Sequence, residues 1–122
     1  VQAFAKCTQL CNNNTMLGVD IVDMLRIDLE KPIISHVLTQ SEMVEFSLKH
    51  TTTQKKQYFA GRFAAKEAIF KATQDKDYLQ YSILNDESGK PYIKDHPELE
   101  VSISHDANIA IAIVQNTSRK II

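Results

Sequence analysis

This chain is short of most features that would assign it quickly to a class. No apolar run among its 122 residues approaches the roughly 18 needed to cross a bilayer, so no membrane partner is expected. A formal net charge of -1 argues against a general nucleic-acid binder, which would carry a basic surplus. There are only two cysteines, Cys7 and Cys11, in an Asn-rich segment without a neighbouring histidine. They give no zinc spacing and no disulfide framework, and read as reduced thiols. Glycine is scarce, and no P-loop or catalytic triad appears. No internal repeat is found.

What is present describes one ordinary globular domain with 43% hydrophobic and 24% charged residues. A chain of this size buries a modest core, and oligomerisation would help it. Residues 1–15 read as an N-terminal extension or leader remnant, ahead of a domain spanning 16–122. That segment has no acidic residue and only Lys6 as a basic one, which makes a poor transit peptide and no signal peptide.

Leu17–Val22 is rich in β-branched residues and predicts a strand. Pro32 stops any helix running on from Arg26 and favours a break near Glu30–Lys31. Thr39-Gln40-Ser41-Glu42 has capping-box spacing, with Met43, Phe46 and Leu48 as the apolar residues of a short helix. Gln54–Thr73 predicts the long helix after an N-cap region at Thr51–Thr53. On it Phe59, Phe63 and Phe70 lie within about 40° of one another and predict the core stripe. A second face carries Ala60, Ala64, Glu67 and Lys71, and its small residues would let a bulky ligand approach.

The period then changes to two. Tyr81–Leu84 and Tyr92–Lys94 predict strands joined by a turn-forming segment, Asn85–Pro91. Leu99, Val101 and Ile103 alternate, as do Ile109, Ile111 and Ile113, with the turn expected at Ser104–Asn108. Ala110, Ala112 and Val114 make the last strand apolar on its other face too, so both faces should be covered. The expected fold class is α+β, a single domain with an antiparallel sheet packed on a long central helix.

Two distant motifs could carry chemistry: Gly18-Val19-Asp20-Ile21-Val22-Asp23 and Arg62-Phe63-Ala64-Ala65-Lys66-Glu67-Ala68-Ile69-Phe70-Lys71-Ala72. Glu67 and Lys71 form an i, i+4 pair that, taken alone, reads first as a surface salt bridge. Asp20 reads as a ligand or as a helix cap. His105 reads as a ligand or as a turn residue at a strand end. Arg62 and Lys66 add cations to the helix that carries Glu67, or are simply solvated. The residues alone allow a Mg²⁺ and phosphate site.

With Asn85-Asp86-Glu87-Ser88-Gly89-Lys90-Pro91-Tyr92 and Val101-Ser102-Ile103-Ser104-His105 added, the chain resembles the small holo-[acyl-carrier-protein] synthase class of 4′-phosphopantetheinyl transferases. The four motifs run in the same order from Leu17 to about Val114. The resemblance implies the 4′-phosphopantetheinyl transferase fold and transfer of phosphopantetheine from coenzyme A to a serine of apo acyl carrier protein. It implies Mg²⁺ as cofactor held by Asp20 and Glu67, with coenzyme A as co-substrate. Lys71 would neutralise phosphoryl charge, and Glu67 or a water it orients would take the serine proton. Arg62, Lys66, Pro91 and His105 would line the coenzyme A nucleotide, with Lys71 on its phosphates, and Arg26 would meet the carrier. A homotrimer with sites between subunits is expected, in the cytoplasm or alternatively in an organelle lumen.

Two departures qualify the resemblance. The Gly-Thr-Gly turn usual after Lys-Ala is replaced by Thr73-Gln74-Asp75-Lys76-Asp77. The basic run usual after Arg26 is replaced by Ile27-Asp28-Leu29-Glu30-Lys31-Pro32. They keep open a noncatalytic relative that binds coenzyme A or a carrier without transferring.

Overall fold

The closest approach between strand and helix sets the architecture. In a computed structural model describing residues 16–117, β1 (Met16–Asp23) lies on the long helix α3 (Thr52–Thr73). A Cβ added to Gly18 would overlap the Ala68 carbonyl and come within 3.0 Å of the Ala72 nitrogen. Only glycine permits that spacing. The leader expected at residues 1–15 lies outside the described residues.

Between β1 and α3 the chain makes a 3-10 turn at Met24–Arg26 and two short helices, α1 (Ile33–Val37) and α2 (Gln40–Ser47). The Asp23 side chain caps the 3-10 turn by accepting from Leu25 N. The expected break falls at the Leu29–Lys31 turn, and Pro32 directly precedes α1. The α2 capping box forms as predicted: Thr39 Oγ1 accepts from Glu42 N, and Glu42 Oε1 accepts from Thr39 N. Leu48, expected within the helix, is its exposed C-cap, and the residue α2 buries completely is Glu42. A second capping box, Thr51 with Gln54, starts α3 at Thr52 rather than Gln54.

After α3 come a 3-10 turn at Tyr78–Gln80 and four strands: β2 (Ile83–Asn85), β3 (Pro91–Ile93), β4 (Leu99–Asp106) and β5 (Ile109–Asn116). The larger sheet is antiparallel in the order β1-β5-β4, and β2-β3 form a separate hairpin closed by Gly89. Tyr81 belongs to the end of the 3-10 turn, so β2 begins two residues later than its β-rich composition suggested. β4 runs on to Asp106, and the β4–β5 turn contracts to Ala107-Asn108. His105 is therefore a strand residue opposite Ala110, not a turn residue.

The helix face toward the sheet is not the predicted phenylalanine stripe. Ala64, Ala65, Ala68, Ile69 and Ala72 pack on Val101, Ala112 and Val114. Phe59 and Phe63 instead stack on each other at 5.7 Å and face α1 and α2. Phe70 is only partly covered and carries Lys76 over its ring at 4.7 Å. The small residues Ala60 and Ala64 are fully buried, so they admit the sheet, not a ligand.

Both faces of β5 are apolar as expected, but only one of them is covered within the chain. Ala110, Ala112 and Val114 are buried, whereas Ile109, Ile111 and Ile113 are exposed beside Leu17, Val19 and Ile21 of β1. The α+β architecture, antiparallel sheet and long helix agree with the sequence reading.

The turn after α3 lacks glycine, yet it keeps a left-handed residue: Gln74, with φ 70°, donates its N–H to the Phe70 carbonyl and caps the helix. A side chain in that conformation costs about 1 kcal/mol relative to glycine. Gln74→Gly should therefore stabilise the fold by about 1 kcal/mol in urea unfolding. A loss of stability would show that the Gln74 side chain makes a compensating contact.

Candidate active site

Packing β1 on α3 through Gly18 brings Asp20, two residues along the strand, beside the helix face that carries Glu67 and Lys71. Lys71 Nζ donates to Asp20 Oδ1 at 3.3 Å and to the Val19 carbonyl at 2.9 Å. Lys71 thus pairs across from helix to strand, and not with Glu67 along the helix as the surface-salt-bridge reading had it. Glu67 Oε2 accepts from the Tyr78 hydroxyl. Burial, reinforced by the Glu67 carboxylate, pushes the Tyr78 phenol well above its usual range and keeps it a proton donor.

Asp20 and Glu67 line one open cleft of about 580 Å³ together with Asp23, Arg26, Lys31 and Phe63. Arg26 is exposed at the end of the 3-10 turn that follows β1. The carboxylates of Asp20 and Glu67 in this cleft are oxygen donors of the kind that suits Mg²⁺. That ion wants an oxygen octahedron and commonly takes one or two protein carboxylates, leaving positions for water and phosphate.

A second cleft of about 450 Å³ holds Arg62, His105, Asn85, Tyr58, Lys49 and His50. Arg62 is largely buried, and its position is fixed on several sides. Nε donates to the Ile83 carbonyl at 3.1 Å and an Nη to Asn85 Oδ1 at 3.2 Å, with Glu45 at 3.6 Å. Its guanidinium lies 4.3 Å from the Tyr58 ring centroid, a cation–π contact. Pro91 lines a third cleft, of about 630 Å³, that also contains Leu17, Lys90, His96 and Ile113. It is the register partner of Asn85, which links the second and third clefts across the hairpin.

Within one chain, then, the predicted residues divide into two groups. Asp20, Glu67 and Arg26 share one cleft, with Lys71 bonded to Asp20; Arg62, His105 and Pro91 lie in other clefts.

Lys66 belongs to neither, which corrects its expected place on the nucleotide. The residue is 1% exposed, and its ammonium donates to Glu42 Oε1 at 2.6 Å, the Val37 carbonyl at 2.7 Å and the Tyr78 carbonyl at 3.0 Å. An ammonium has only three protons, and each has an acceptor inside the protein. Burial pulls the Lys66 ammonium down from its ordinary range, and the Glu42 carboxylate opposes this. Glu42 in turn accepts from Thr39 N and, through Oε2, from Ile83 N at 2.7 Å. The pair ties α1, α2, α3 and β2 together.

Sequence reasoning missed Tyr78 and the second role of Glu42. The capping-box spacing accounted for Glu42 by a local contact, and nothing in its type marked a partner 24 residues away. Tyr78 follows the helix in a stretch without periodicity.

Comparison with known proteins gives the family. Residues 16–114 match the family of the 4′-phosphopantetheinyl transferase superfamily. The chain belongs to that superfamily. The holo-[acyl-carrier-protein] synthase of Mycoplasma mycoides is 38% identical over 104 residues, covering 84% of this chain and 94% of the relative. Among solved 4′-phosphopantetheinyl transferase structures, the holo-(acyl-carrier-protein) synthase of Bacillus anthracis in complex with CoA (3′,5′-ADP) superposes with a TM-score of 0.75. It is 31% identical, with 84% of this chain and 96% of that one covered. The Helicobacter pylori holo-[acyl-carrier-protein] synthase in complex with coenzyme A gives a TM-score of 0.66 at 31% identity, covering 81% and 97%.

Removing one member of a buried ion pair leaves the other unpaired, at a cost of about 3–5 kcal/mol. Lys66→Met should therefore destabilise the protein by that amount in urea unfolding with no ligand present. A stability change below about 1 kcal/mol, with coenzyme A binding lost, would return Lys66 to the ligand site.

Proposed function

We propose that this chain is a holo-[acyl-carrier-protein] synthase, transferring the 4′-phosphopantetheine group of coenzyme A to a serine of an apo acyl carrier protein. Adenosine 3′,5′-bisphosphate is the other product. The observation that carries the reading is the convergence of Asp20 and Glu67, from β1 and α3, in one cleft with Arg26, with Lys71 bonded to Asp20. Family membership gives that cluster its substrate class.

In this reading Asp20 and Glu67 hold Mg²⁺, which when bound would withdraw charge from the pyrophosphate oxygens of coenzyme A. Lys71 sits against Asp20 on a flexible stem, within reach of phosphoryl oxygens entering the cleft. Its role is to neutralise negative charge that grows as the serine oxygen bonds to phosphorus and the pyrophosphate P–O bond breaks. The serine proton goes to Glu67 or to a water held by it. Arg62 and His105 donate to the nucleotide phosphates, with Pro91 against its ring or ribose. Arg26, exposed at the mouth, meets the carrier; the acids that follow it weaken long-range steering of an acidic partner.

The separation of Arg62, His105 and Pro91 from the carboxylate cleft supports a composite site. We propose a homotrimer in which one subunit's nucleotide cleft faces the next subunit's carboxylates. The exposed apolar face formed by Leu17, Val19, Ile21, Ile111 and Ile113 is suited to cover a neighbouring copy. Among the described residues no helix is long and apolar enough to cross a membrane. We place the reaction in the cytoplasm or an organelle lumen, serving fatty acid synthesis.

Asp20→Ala and Glu67→Ala should each lower Mg²⁺-dependent transfer at least about 100-fold without changing the oligomer seen by light scattering. Arg26→Ala should raise the KM for carrier while leaving coenzyme A affinity unchanged. Full transfer by both carboxylate variants would overturn the metal assignment. Equal losses for carrier and coenzyme A in the arginine variant would overturn the division between the two ends of the site.

A further inference from the structure

We infer that Tyr78 is a positioning residue for Glu67, setting the carboxylate in place before the cation arrives. The inference rests on the reading above, in which Glu67 is a Mg²⁺ ligand. Tyr78 lies outside α3, in the 3-10 turn that follows it, and its hydroxyl returns 11 residues to donate to Glu67 Oε2. Among the described residues Oε1 has no hydrogen-bond partner, so the carboxylate offers the cleft one unoccupied oxygen.

The phenol is held from several sides. The Tyr78 carbonyl accepts from Lys66 Nζ at 3.0 Å and from Tyr81 N at 3.4 Å. Its ring meets Phe63 edge-on, with an interplanar angle of 81° and centroids 6.1 Å apart. Asp77 fixes the turn itself by accepting from Leu79 N at 3.3 Å. Lys66 is immobilised in turn by Glu42 and the Val37 carbonyl. A buried ion pair and an aromatic contact thus fix the backbone and ring of one residue, whose hydroxyl grips the candidate ligand.

A glutamate on a partly exposed helix face has several accessible rotamers, and binding an ion selects one of them. A donor that selects the rotamer beforehand removes part of that cost and raises affinity for the ion. Groups that orient metal ligands commonly change metal affinity by about 10- to 100-fold when removed. With Oε2 engaged by the phenol, Glu67 would have Oε1 left to offer the ion.

Tyr78→Phe tests the inference, since it deletes the hydroxyl and leaves the ring on Phe63. The readout is the Kd for Mg²⁺, by calorimetry with coenzyme A present. It is measured in the wild-type protein, Tyr78→Phe, Glu67→Gln and the double variant, with the metal-free melting temperature as the check on folding. Tyr78→Phe should weaken Mg²⁺ binding about 10- to 100-fold. The double variant should bind no more weakly than Glu67→Gln alone, because Tyr78 acts through that carboxylate. The Mg²⁺ concentration that half-saturates transfer should rise in parallel with Kd.

If Glu67→Gln weakens Mg²⁺ binding and folded Tyr78→Phe does not, the positioning role is wrong and the metal assignment stands. Additive losses in the double variant would likewise overturn action through Glu67. An unchanged Kd in Glu67→Gln would overturn the metal assignment and the inference together.

Discussion

β1 can lie against α3 only because position 18 has no side chain. A Cβ there would overlap the Ala68 carbonyl, and the facing helix residues Ala64, Ala68 and Ala72 are themselves small. That close contact sets the site. Asp20 follows Gly18 on the strand, and Glu67 and Lys71 flank Ala68 on the helix. Separating strand and helix by the width of a methyl group would separate Asp20 from Lys71 by a comparable distance. Even a displacement of that size is large on the scale of catalytic geometry. The alanines that might have admitted a ligand instead admit the sheet.

The rest of the domain is fastened by the buried Lys66–Glu42 pair. Its energetic logic differs from that of the apolar layer: intact, such a pair contributes modestly, whereas either partner alone is costly to bury. Its value here is geometric. Lys66 precedes Glu67 in the helix and reaches α1 and the Tyr78 carbonyl, while Glu42 reaches β2 and the start of α2. The chain on one side of Glu67 is thereby fixed to the chain that supplies its hydrogen-bond donor. The missing glycine turn after Ala72 does not disturb this path, because Gln74 adopts the left-handed conformation itself. That weakens one of the two grounds for a noncatalytic relative, the other being the acidic run after Arg26.

The fold was largely legible because its elements carry local signals. A capping box marks the start of α2, alternation marks β4 and β5, and Pro32 marks a break. The orientation of α3 was not legible: three phenylalanines outweigh a row of alanines on any hydrophobic scale, yet the alanines face the sheet. Close packing there depends on small volume, which a periodicity of apolar bulk does not register. Asp20, Glu67 and Lys71 were legible as motif members, but their pairing was not. Lys66 shows the limit most clearly, since its type and helical position read as solvated or phosphate-binding until its three acceptors are located. Those acceptors include two backbone carbonyls, which leave no mark in the sequence.

The most direct test is the intact mass of an apo acyl carrier protein after incubation with this protein, coenzyme A and Mg²⁺. The acidic residues after Arg26 make it sensible to use both a generic carrier and the carrier native to the same source. The account predicts a mass increase of one phosphopantetheine group, abolished by a chelator and restored by added Mg²⁺. No increase on the native carrier, with the protein folded and coenzyme A bound, would contradict it and leave a module that binds coenzyme A without transferring its arm.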